Sequence, residues 1–358
     1  MTDPPLAAAD LDLVRGLVAI PSLSGQERGA VEWLVARMRE RGFRAGVDEA
    51  GNAAGEIGEG PRHVVLLGHI DTVPGEIPTR VEGGELVGRG AVDAKGPLAA
   101  FVAAASTVVP GVRVTVVGAV EEESPTSKGA RHRATLAAPD WCVVGEPSSW
   151  DRVTVAYKGR LLLSFALARE ARHGATPGPT CAEEALALWA RLREAAARRA
   201  ISASTFDQLD CRLESMAAES DGLTERASLR VGYRIPPGSS VAELEAEARG
   251  LAASHAGEAA VTVERLAAEE PARTSRTSAL ARAFVGSIAE AGGAGAFKVK
   301  SGTSDLNVLA AVWSCPMVAY GPGDSRYDHT PMERLDLAEY ARAIVVLRGV
   351  LRRAAVAS

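Results

Sequence analysis

The chain has 358 residues, a net charge of −5 and 47% hydrophobic residues, which together predict a folded protein of two domains. No apolar run is long enough for a membrane span, and the start lacks a basic segment followed by an apolar stretch, so we expect neither a membrane helix nor a signal peptide. The acidic balance, without a basic tail, argues against nucleic acid as a partner. The four cysteines have no close spacing, which predicts buried free thiols and a reducing cytoplasm.

Helix and strand patterns alternate through the first part of the chain. Residues 26–42 repeat apolar positions at helical spacing and end at Gly42. Three short apolar runs without polar alternation follow, at 63–68, 112–120 and 141–144. Such runs are typical of strands buried on both faces, so we predict an α/β domain with a mixed or largely parallel sheet and helices on both faces.

The pattern changes after Lys158. It predicts a strand, a helix, two strands, a helix and a strand, at 159–170, 179–199, 206–217, 225–235, 240–254 and 259–266. This β-α-β-β-α-β order is that of a ferredoxin-like unit. The earlier alternation then resumes, with helices at 276–292, 303–312 and 335–354 and strands near 296–299 and 316–320. We therefore predict one domain formed by residues 1–158 and 271–358, interrupted by an inserted α+β domain at 159–270.

His69 comes directly after the first apolar run and begins the triplet His69-Ile70-Asp71. The carboxyl end of a buried strand is where α/β proteins place their sites. In an extended triplet the first and third side chains point the same way, so Asp71 can accept the second ring N–H of His69 and orient it as a metal ligand. The alternative is a strand-end histidine that is simply bonded to a turn aspartate.

Further acids and a histidine lie beside the other predicted elements. The run Glu121-Glu122-Glu123 ends the strand at 112–120, and Glu146 follows the strand at 141–144. Asp93 lies in a glycine-rich stretch at the start of a predicted helix, where it is either a ligand or an N-cap. That stretch lacks the glycine patterns of phosphate-binding loops, so a nucleotide site is poorly supported. His329 follows the apolar stretch 317–320.

These side chains are expected to meet at one edge of one sheet. Adjacent carboxylates repel one another, and a divalent cation would neutralise them. Carboxylate and imidazole ligands without thiolates suit a pair of zinc ions, or cobalt or manganese. The pattern therefore predicts a site for two metal ions, with one more carboxylate left free to accept a proton from water.

In order and spacing, these motifs resemble those of the M20 family of zinc peptidases and amidohydrolases over the whole chain. Its members include carboxypeptidase G, acetylornithine deacetylase and succinyl-diaminopimelate desuccinylase. The segments that carry the resemblance are Gly68 to Asp71, Gly90 to Gly96, the glutamate run, Gly145 to Pro147, the inserted domain and His329. The resemblance implies a metal-dependent amidohydrolase acting on linear amides, with two zinc or cobalt ions.

The resemblance also implies roles for individual residues. His69 and Glu146 would bind one metal, Glu123 and His329 would bind the other, and Asp93 would bridge them.

Two further roles concern the residues around these ligands. Asp71 would orient His69, and Glu122 would be the general base. A rival register along the glutamate run makes Glu121 the base and Glu122 the ligand.

In this family the inserted domain is a lid that also forms a homodimer. His173 matches a histidine that reaches a neighbouring active site and polarises the scissile carbonyl, with an ordinary loop histidine as the alternative. Arg234 matches a lid arginine that binds substrate carboxylates, with a structural role as the alternative. A glycine-rich turn near the substrate is matched by Ser301, Gly302 and Thr303, with a helix N-cap as the alternative. No family motif includes the remaining histidines, which we expect to be structural or exposed: His63, His132 and His255.

Within the family the chain looks most like the branch that releases lysine or ornithine from an amino-group carrier protein (LysW-like) in lysine and arginine biosynthesis. The carrying stretches are Gly68 to Gly75, Arg89 to Phe101 and Ser301 to Asn307. This likeness implies the carrier as substrate, a cytoplasmic enzyme, and no nucleic-acid or membrane partner. An arginine-rich rim would help an acidic carrier to dock, with these candidates: Arg80, Arg89, Arg131 and Arg133.

Two alternatives to this function stay open from the sequence. The first is a small-molecule deacylase of the same family, such as acetylornithine deacetylase or succinyl-diaminopimelate desuccinylase. The second is a non-catalytic receptor or scaffold that kept the fold and lost the site.

Overall fold

A computed structural model describes residues 4–199 and 204–357. The chain divides into two compact units. Among the described residues, the first contains 4–155, 274–299 and 304–357, and the second contains 156–199, 204–273 and 300–303. The inserted domain predicted at 159–270 falls within the residues of the second unit.

The strands of the described residues have between two and twelve residues. In chain order they are β1 (Arg44–Val47), β2 (Ala53–Ile57), β3 (Arg62–His69), β4 (Arg80–Glu82), β5 (Glu85–Val87), β6 (Val112–Ala119), β7 (Trp141–Gly145), β8 (Arg152–Tyr157), β9 (Gly159–Glu170), β10 (Asp210–Ser220), β11 (Thr224–Ile235), β12 (Ala260–Glu269), β13 (Ala272–Arg273), β14 (Ala296–Lys300), β15 (Met317–Ala319) and β16 (Arg334–Asp336).

The helices of the described residues range from one and a half turns to more than five. They are α1 (Ala8–Val18), α2 (Arg28–Glu40), α3 (Lys95–Ala105), α4 (Lys128–Ala134), α5 (Cys181–Arg198), α6 (Val241–Ala253), α7 (Ala279–Glu290), α8 (Asp305–Ala310) and α9 (Leu337–Val356). None of these helices has the length and apolar character needed to cross a membrane.

The first unit is built on a mixed sheet with the order β1-β2-β6-β3-β7-β15-β8. Strands β6, β3, β7 and β15 are parallel, whereas β2 and β8 run antiparallel to their neighbours β6 and β15. Val64, Leu66, Val114 and Val116 point from this sheet into a core shared with helices α1, α3 and α9. Helix α4 covers the other face of β6. The prediction of a mixed sheet with helices on both faces is confirmed.

The second unit has the predicted β-α-β-β-α-β order. Its antiparallel sheet has the order β10-β11-β9-β12, and helices α5 and α6 share a hydrophobic core with it. Helix α5 begins where Thr180 accepts the backbone N–H of Glu183 while the Glu183 carboxylate accepts the backbone N–H of Thr180, a reciprocal cap that explains its start. This is the strand order of a ferredoxin-like sheet.

The structure differs from the sequence patterns mainly at short elements. The strand predicted at 206–217 begins only at Asp210, because Thr205–Asp207 forms a 3₁₀ turn. The patterns do not indicate helix α1 or the three-stranded sheet β16-β5-β4, whose strands have three residues each and so show no measurable periodicity. All four cysteines are free, but only Cys142 and Cys181 are buried; Cys211 lies on the edge strand β10 and is partly exposed, as is Cys315.

Candidate metal centre

The predicted ligands lie where neighbouring parallel strands end. His69 is the last residue of β3, the run Glu121–Glu123 follows β6, and Glu146 follows β7. These strands are adjacent, so their carboxyl ends form one edge of the sheet. Asp93, just before α3, and His329, in the loop after β15, reach the same edge. The expected convergence of these side chains is therefore present.

Asp93 lies at the centre of the cluster. Its Oδ1 is 3.2 Å from Nε2 of His69, and its Oδ2 is 3.0 Å from Nε2 of His329. The same ring nitrogen of His329 is 2.7 Å from Oε1 of Glu123. Ligand atoms of His69, Asp93 and Glu146 lie within 4.8 Å of one another, and so do those of Asp93, Glu123 and His329. Asp93 is therefore common to these two groups of potential metal ligands.

The donor set fits divalent cations such as zinc or cobalt, because it consists of carboxylate oxygens and imidazole nitrogens. Hydrogen bonds to Asp93 and Glu123 raise the pKa of His329 to about 10. Burial lowers the pKa of His69, but hydrogen bonds to Asp71 and Asp93 outweigh burial and raise that pKa well above its ordinary value. The carboxylates thus attract positive charge to the positions that two cations would fill.

Asp71 supports both His69 and the glutamate run. Nδ1 of His69 is 3.0 Å from the backbone carbonyl oxygen of Asp71 and 3.5 Å from its carboxylate. The carboxylate also accepts the backbone N–H of Glu122 at 3.1 Å, that of Glu123 at 3.0 Å, and the hydroxyl of Ser24 at 2.7 Å. Burial alone would raise the pKa of Asp71, but its contact with His69 and these donors lower it. The orienting interaction foreseen for His69 therefore extends to the turn that carries two further site residues.

The backbone separates the three glutamates of the run. Glu121 has a φ of +60°, and its carboxylate accepts the hydroxyl of Thr126 at 2.5 Å and lies 3.7 Å from Nζ of Lys128. Glu123 contacts His329, whereas Glu122 groups with His69 and Glu123. Burial raises the pKa of Glu122 well above its ordinary value, and nearby carboxylates add to this effect. Glu122 and Glu123 therefore face the cluster, whereas Glu121 faces Thr126 and Lys128.

Glu333 belongs to the site but is not indicated by any sequence pattern. Its carboxylate is 1% exposed and accepts the backbone N–H of Val92 at 3.0 Å and that of Asp93 at 3.1 Å. It also pairs with Arg89 at 2.7 Å. Burial raises the pKa of this carboxyl. Glu333 therefore fixes the backbone from which the shared carboxylate projects. In the sequence, the only feature that points to Glu333 is its position four residues after His329.

Asp305 is a second residue that the sequence reasoning missed. It is 1% exposed in the first turn of α8, and neither carboxylate oxygen has a hydrogen-bond partner in the part of the chain that the structure describes. Burial raises its pKa to about 8, and its charge interacts with those of His69 and Glu146. The N-cap of α8 is Ser304, so the N-cap alternative for the glycine-rich turn applies to that residue and not to Ser301 or Thr303. Asp93 is not an N-cap either, since Ala94 holds that position of α3.

The remaining predicted site residues lie in the second unit. His173 is exposed in a loop, where its Nδ1 accepts the backbone N–H of Ala175 at 3.2 Å. Arg234 is partly buried, and its Nη1 is 3.3 Å from the hydroxyl of Thr303. Burial and the nearby Arg160 lower the pKa of Arg234. Ser301 and Gly302 are exposed.

The candidate docking arginines do not form one exposed rim. Arg80 and Arg131 are exposed, but Arg89 is held by Glu333, and Arg133 is buried beside the ring of Trp313. The prediction is wrong for the last two, because α4 turns Arg133 toward the sheet and because the Arg89 guanidinium donates to the carbonyls of Gly75 and Thr330 and pairs with Glu333. The histidines outside the motifs make local contacts: His63 with Thr115, His132 with Asp48 and His255 with Glu184.

Comparison with known proteins identifies the family. The sequence profile of peptidase family M20/M25/M40 matches residues 65–353, which include every residue of the metal cluster. The chain belongs to this family. It is accordingly a hydrolase, and the family's dependence on metal agrees with the donor set described above.

Relatives of this M20 protein match it over nearly all of its length. A LysW-lysine hydrolase from Deinococcus radiodurans is 45% identical over 362 residues, which cover 99% of each chain. A protein of Pyrococcus furiosus, proposed to be a LysW-lysine/LysW-ornithine hydrolase, is 37% identical over 342 residues, or 95% of this chain and 96% of the relative. The family assignment thus rests on full-length similarity.

Solved structures share the fold of this M20 protein. The M20 family metallo-carboxypeptidase Sso-CP2 from Sulfolobus solfataricus superposes with a TM-score of 0.79, and the match covers 98% of this chain and 100% of that one. The sequence identity is 15%, so the match establishes the fold alone. The α/β architecture predicted from the sequence is confirmed by this likeness.

Proposed function

We propose that this protein hydrolyses the amide that links the α-amino group of lysine to the γ-carboxyl of the C-terminal glutamate of a LysW-type carrier protein. The product is free lysine, and the enzyme acts in lysine biosynthesis. Release of ornithine from the same type of carrier would place it in arginine biosynthesis as well. The observation that carries the proposal is the 45% identity, over 99% of both chains, to a LysW-lysine hydrolase. The complete ligand cluster supports a catalytic role and argues against a scaffold that has lost its site.

Five residues would hold two divalent ions, zinc or cobalt. His69 and Glu146 would bind one ion and Glu123 and His329 the other, with Asp93 shared, as the two groups of ligand atoms indicate. When bound, such ions supply a water of lowered pKa and polarise an amide carbonyl.

Glu122 would act as the general base. It lies beside both ligand groups, and unlike Glu121 its carboxylate is not paired with a lysine. Its raised pKa suits a group that accepts a proton from water and then donates it to the departing amine. Asp71 would keep His69 and Glu122 in their positions through the hydrogen bonds described above.

We assign substrate binding to the second unit, as a lid that also forms a homodimer. Arg234 and the turn of Ser301, Gly302 and Thr303 would hold a substrate carboxylate. Within the described residues no carboxylate pairs with the Arg234 guanidinium, and its contact is the Thr303 hydroxyl, which leaves it free to bind an anion. His173 would polarise the amide carbonyl in a neighbouring active site.

The decisive experiment measures amide hydrolysis by zinc- and cobalt-loaded enzyme on LysW-lysine, LysW-ornithine and free acetylornithine, each with and without a chelator. Turnover of the carrier conjugates alone, lost with chelator, supports the proposal, and the ratio of the first two rates gives the amino-acid preference. Turnover mainly on acetylornithine would assign a small-molecule deacylase instead.

A matched pair of histidine variants separates the centre from the fold. His329→Ala removes a cluster ligand and should abolish turnover, whereas His132→Ala lies outside the cluster and should keep it. Size-exclusion chromatography with light scattering tests the homodimer, and cell fractionation tests the cytoplasmic location that we propose for a biosynthetic enzyme.

A further inference from the structure

A cavity of the first unit lies away from the metal centre. Its volume is about 340 Å³, and it is bounded by α4 and by the faces of β2, β3 and β6. Its polar lining includes two arginines, one histidine, one threonine and two carboxylates: Arg113, Arg133, His63, Thr115, Asp48 and Glu56. None of these residues belongs to the metal cluster.

Arg133 is the unusual member of this lining. The residue is only 7% exposed, its guanidinium carbon lies 5.3 Å from the ring centroid of Trp313, and its Nε has no hydrogen-bond partner. Across the described ranges, 4–199 and 204–357, no carboxylate forms an ion pair with Arg133. A buried guanidinium without an anion carries an uncompensated desolvation cost. An anion that entered the cavity would offset that cost.

The carboxylates of the cavity wall are already engaged elsewhere. Glu56 pairs with Arg44 at 2.7 Å and with Arg113 at 3.0 Å. Asp48 accepts the backbone N–H groups of Ala50 and Asn52, each at 2.9 Å, and also the side-chain amide of Asn52. Each carboxylate is thus bonded to other partners, and neither forms an ion pair with Arg133, on which they act only from a distance.

We propose that this cavity binds a small oxyanion, a phosphate or a carboxylate, on the guanidinium of Arg133, with the more exposed Arg113 as a second contact. A guanidinium presents paired N–H donors that match two oxygens of such a group. The aromatic ring of Trp313 holds the guanidinium plane in position. The apolar remainder of the cavity, with Leu136 and Val117, leaves room for the hydrocarbon part of a carboxylate ligand. This site is independent of the proposed function.

His63 provides a reporter within the cavity. Its Nε2 lies 2.9 Å from the hydroxyl of Thr115. Burial, Arg113 and Arg133 together lower its pKa to about 4. An anion between the arginines would screen their charge from the imidazole, so anion binding should raise the pKa of His63.

The test follows the imidazole resonances of metal-loaded enzyme with isotopically labelled histidine, during titration with inorganic phosphate, acetate or free lysine at constant ionic strength. His63→Gln assigns the resonance. We expect one of these anions to shift the His63 resonance saturably and to raise its pKa. A response to phosphate alone identifies a phosphate site, and a response to acetate or lysine identifies a carboxylate site. Because the reporter lies in the cavity, an anion bound at the metal centre does not mimic the result.

Two variants test the role of the arginines. Arg133→Met keeps the volume and the contact with Trp313 and should weaken anion binding at least about tenfold, while amide hydrolysis and thermal stability are retained. Arg113→Gln should weaken binding less. The proposal is overturned if no anion shifts His63 saturably, or if Arg133→Met binds as tightly as the parent. If Arg133→Met did not fold, an unchanged affinity in Arg113→Gln would count against the proposal.

Discussion

The carboxylate of Glu333 accepts a hydrogen bond from the backbone N–H of Asp93, at 3.1 Å. The two residues are 240 positions apart in the chain. The contact holds the backbone of Asp93, whose carboxylate belongs both to the group with His69 and Glu146 and to the group with Glu123 and His329. The segment from His329 to Glu333 therefore supplies both a cluster residue and a support for Asp93. It also leads to the first prediction, which concerns metal affinity.

Glu333→Gln should weaken metal binding about 10- to 100-fold, because an amide accepts the backbone N–H groups of Val92 and Asp93 less strongly and loses the ion pair with Arg89. Competition with a coloured chelator measures the affinity. Glu339→Gln is the matched control, since Glu339 accepts the backbone N–H groups of Trp150 and Gly323 outside the cluster. Equal loss of affinity in both variants would mean that the effect is one of general stability.

Glu122→Gln should lower kcat by roughly 10²-fold or more while both metal ions stay bound, because an amide cannot accept a proton from water. Glu121→Gln should keep kcat near that of the parent, since the Glu121 carboxylate is bonded to Thr126 and lies beside Lys128. Steady-state kinetics combined with metal analysis of each variant checks both expectations. The opposite pattern, with Glu121→Gln inactive and fully metallated, would establish the rival register.

Metal uptake should release protons and strengthen as the pH rises. In the metal-free centre the pKa of His329 is about 10, so its ring is protonated at neutral pH and must lose a proton to become a ligand. For each proton released, affinity should rise about tenfold per pH unit below that pKa. Calorimetry of zinc binding in buffers of different ionisation enthalpy counts the protons. An affinity that does not change between pH 6 and pH 9 would contradict this arrangement.

Asp305→Asn should stabilise the metal-free protein at pH 8. The carboxyl has no hydrogen-bond partner in the described part of the chain, and its pKa is raised to about 8 from an ordinary value of 3.8. Below pH 3.8 the carboxyl is protonated in both the folded and the unfolded protein, so it causes no loss of stability. Between pH 3.8 and pH 8 the unfolded protein loses this proton more easily than the folded protein, so the free energy of unfolding falls as the pH rises. The gain in Tm should be near zero at pH 4 and about 2–4 °C at pH 8.

Thermal unfolding of both proteins in chelator, at several pH values, measures this difference. Asp336→Ala serves as the control. Asp336 is an N-cap whose carboxylate accepts two backbone N–H groups, so its loss should lower Tm. A lower Tm for Asp305→Asn at pH 8 would show that the Asp305 carboxylate is satisfied in solution.

Sequence alone determined the parts of this protein that follow from local pattern and from chain order. Buried apolar runs predict parallel strands, and residues at the ends of such strands must meet at one edge, which is why His69, Glu123 and Glu146 could be expected together. The order of elements in the second unit was likewise readable, because long strands and capped helices carry strong periodicity.

Only the tertiary structure decided which side chains support these residues. The different surroundings of the three glutamates depend on the positive φ of Glu121 and on the backbone N–H groups of Glu122 and Glu123 that donate to Asp71, and neither is visible in a row of three identical residues. Glu333 bonds to residues far away in the chain, and the buried Asp305 lies near enough to His69 and Glu146 for their charges to interact. Such contacts depend on how loops pack against one another, and no local pattern records that packing.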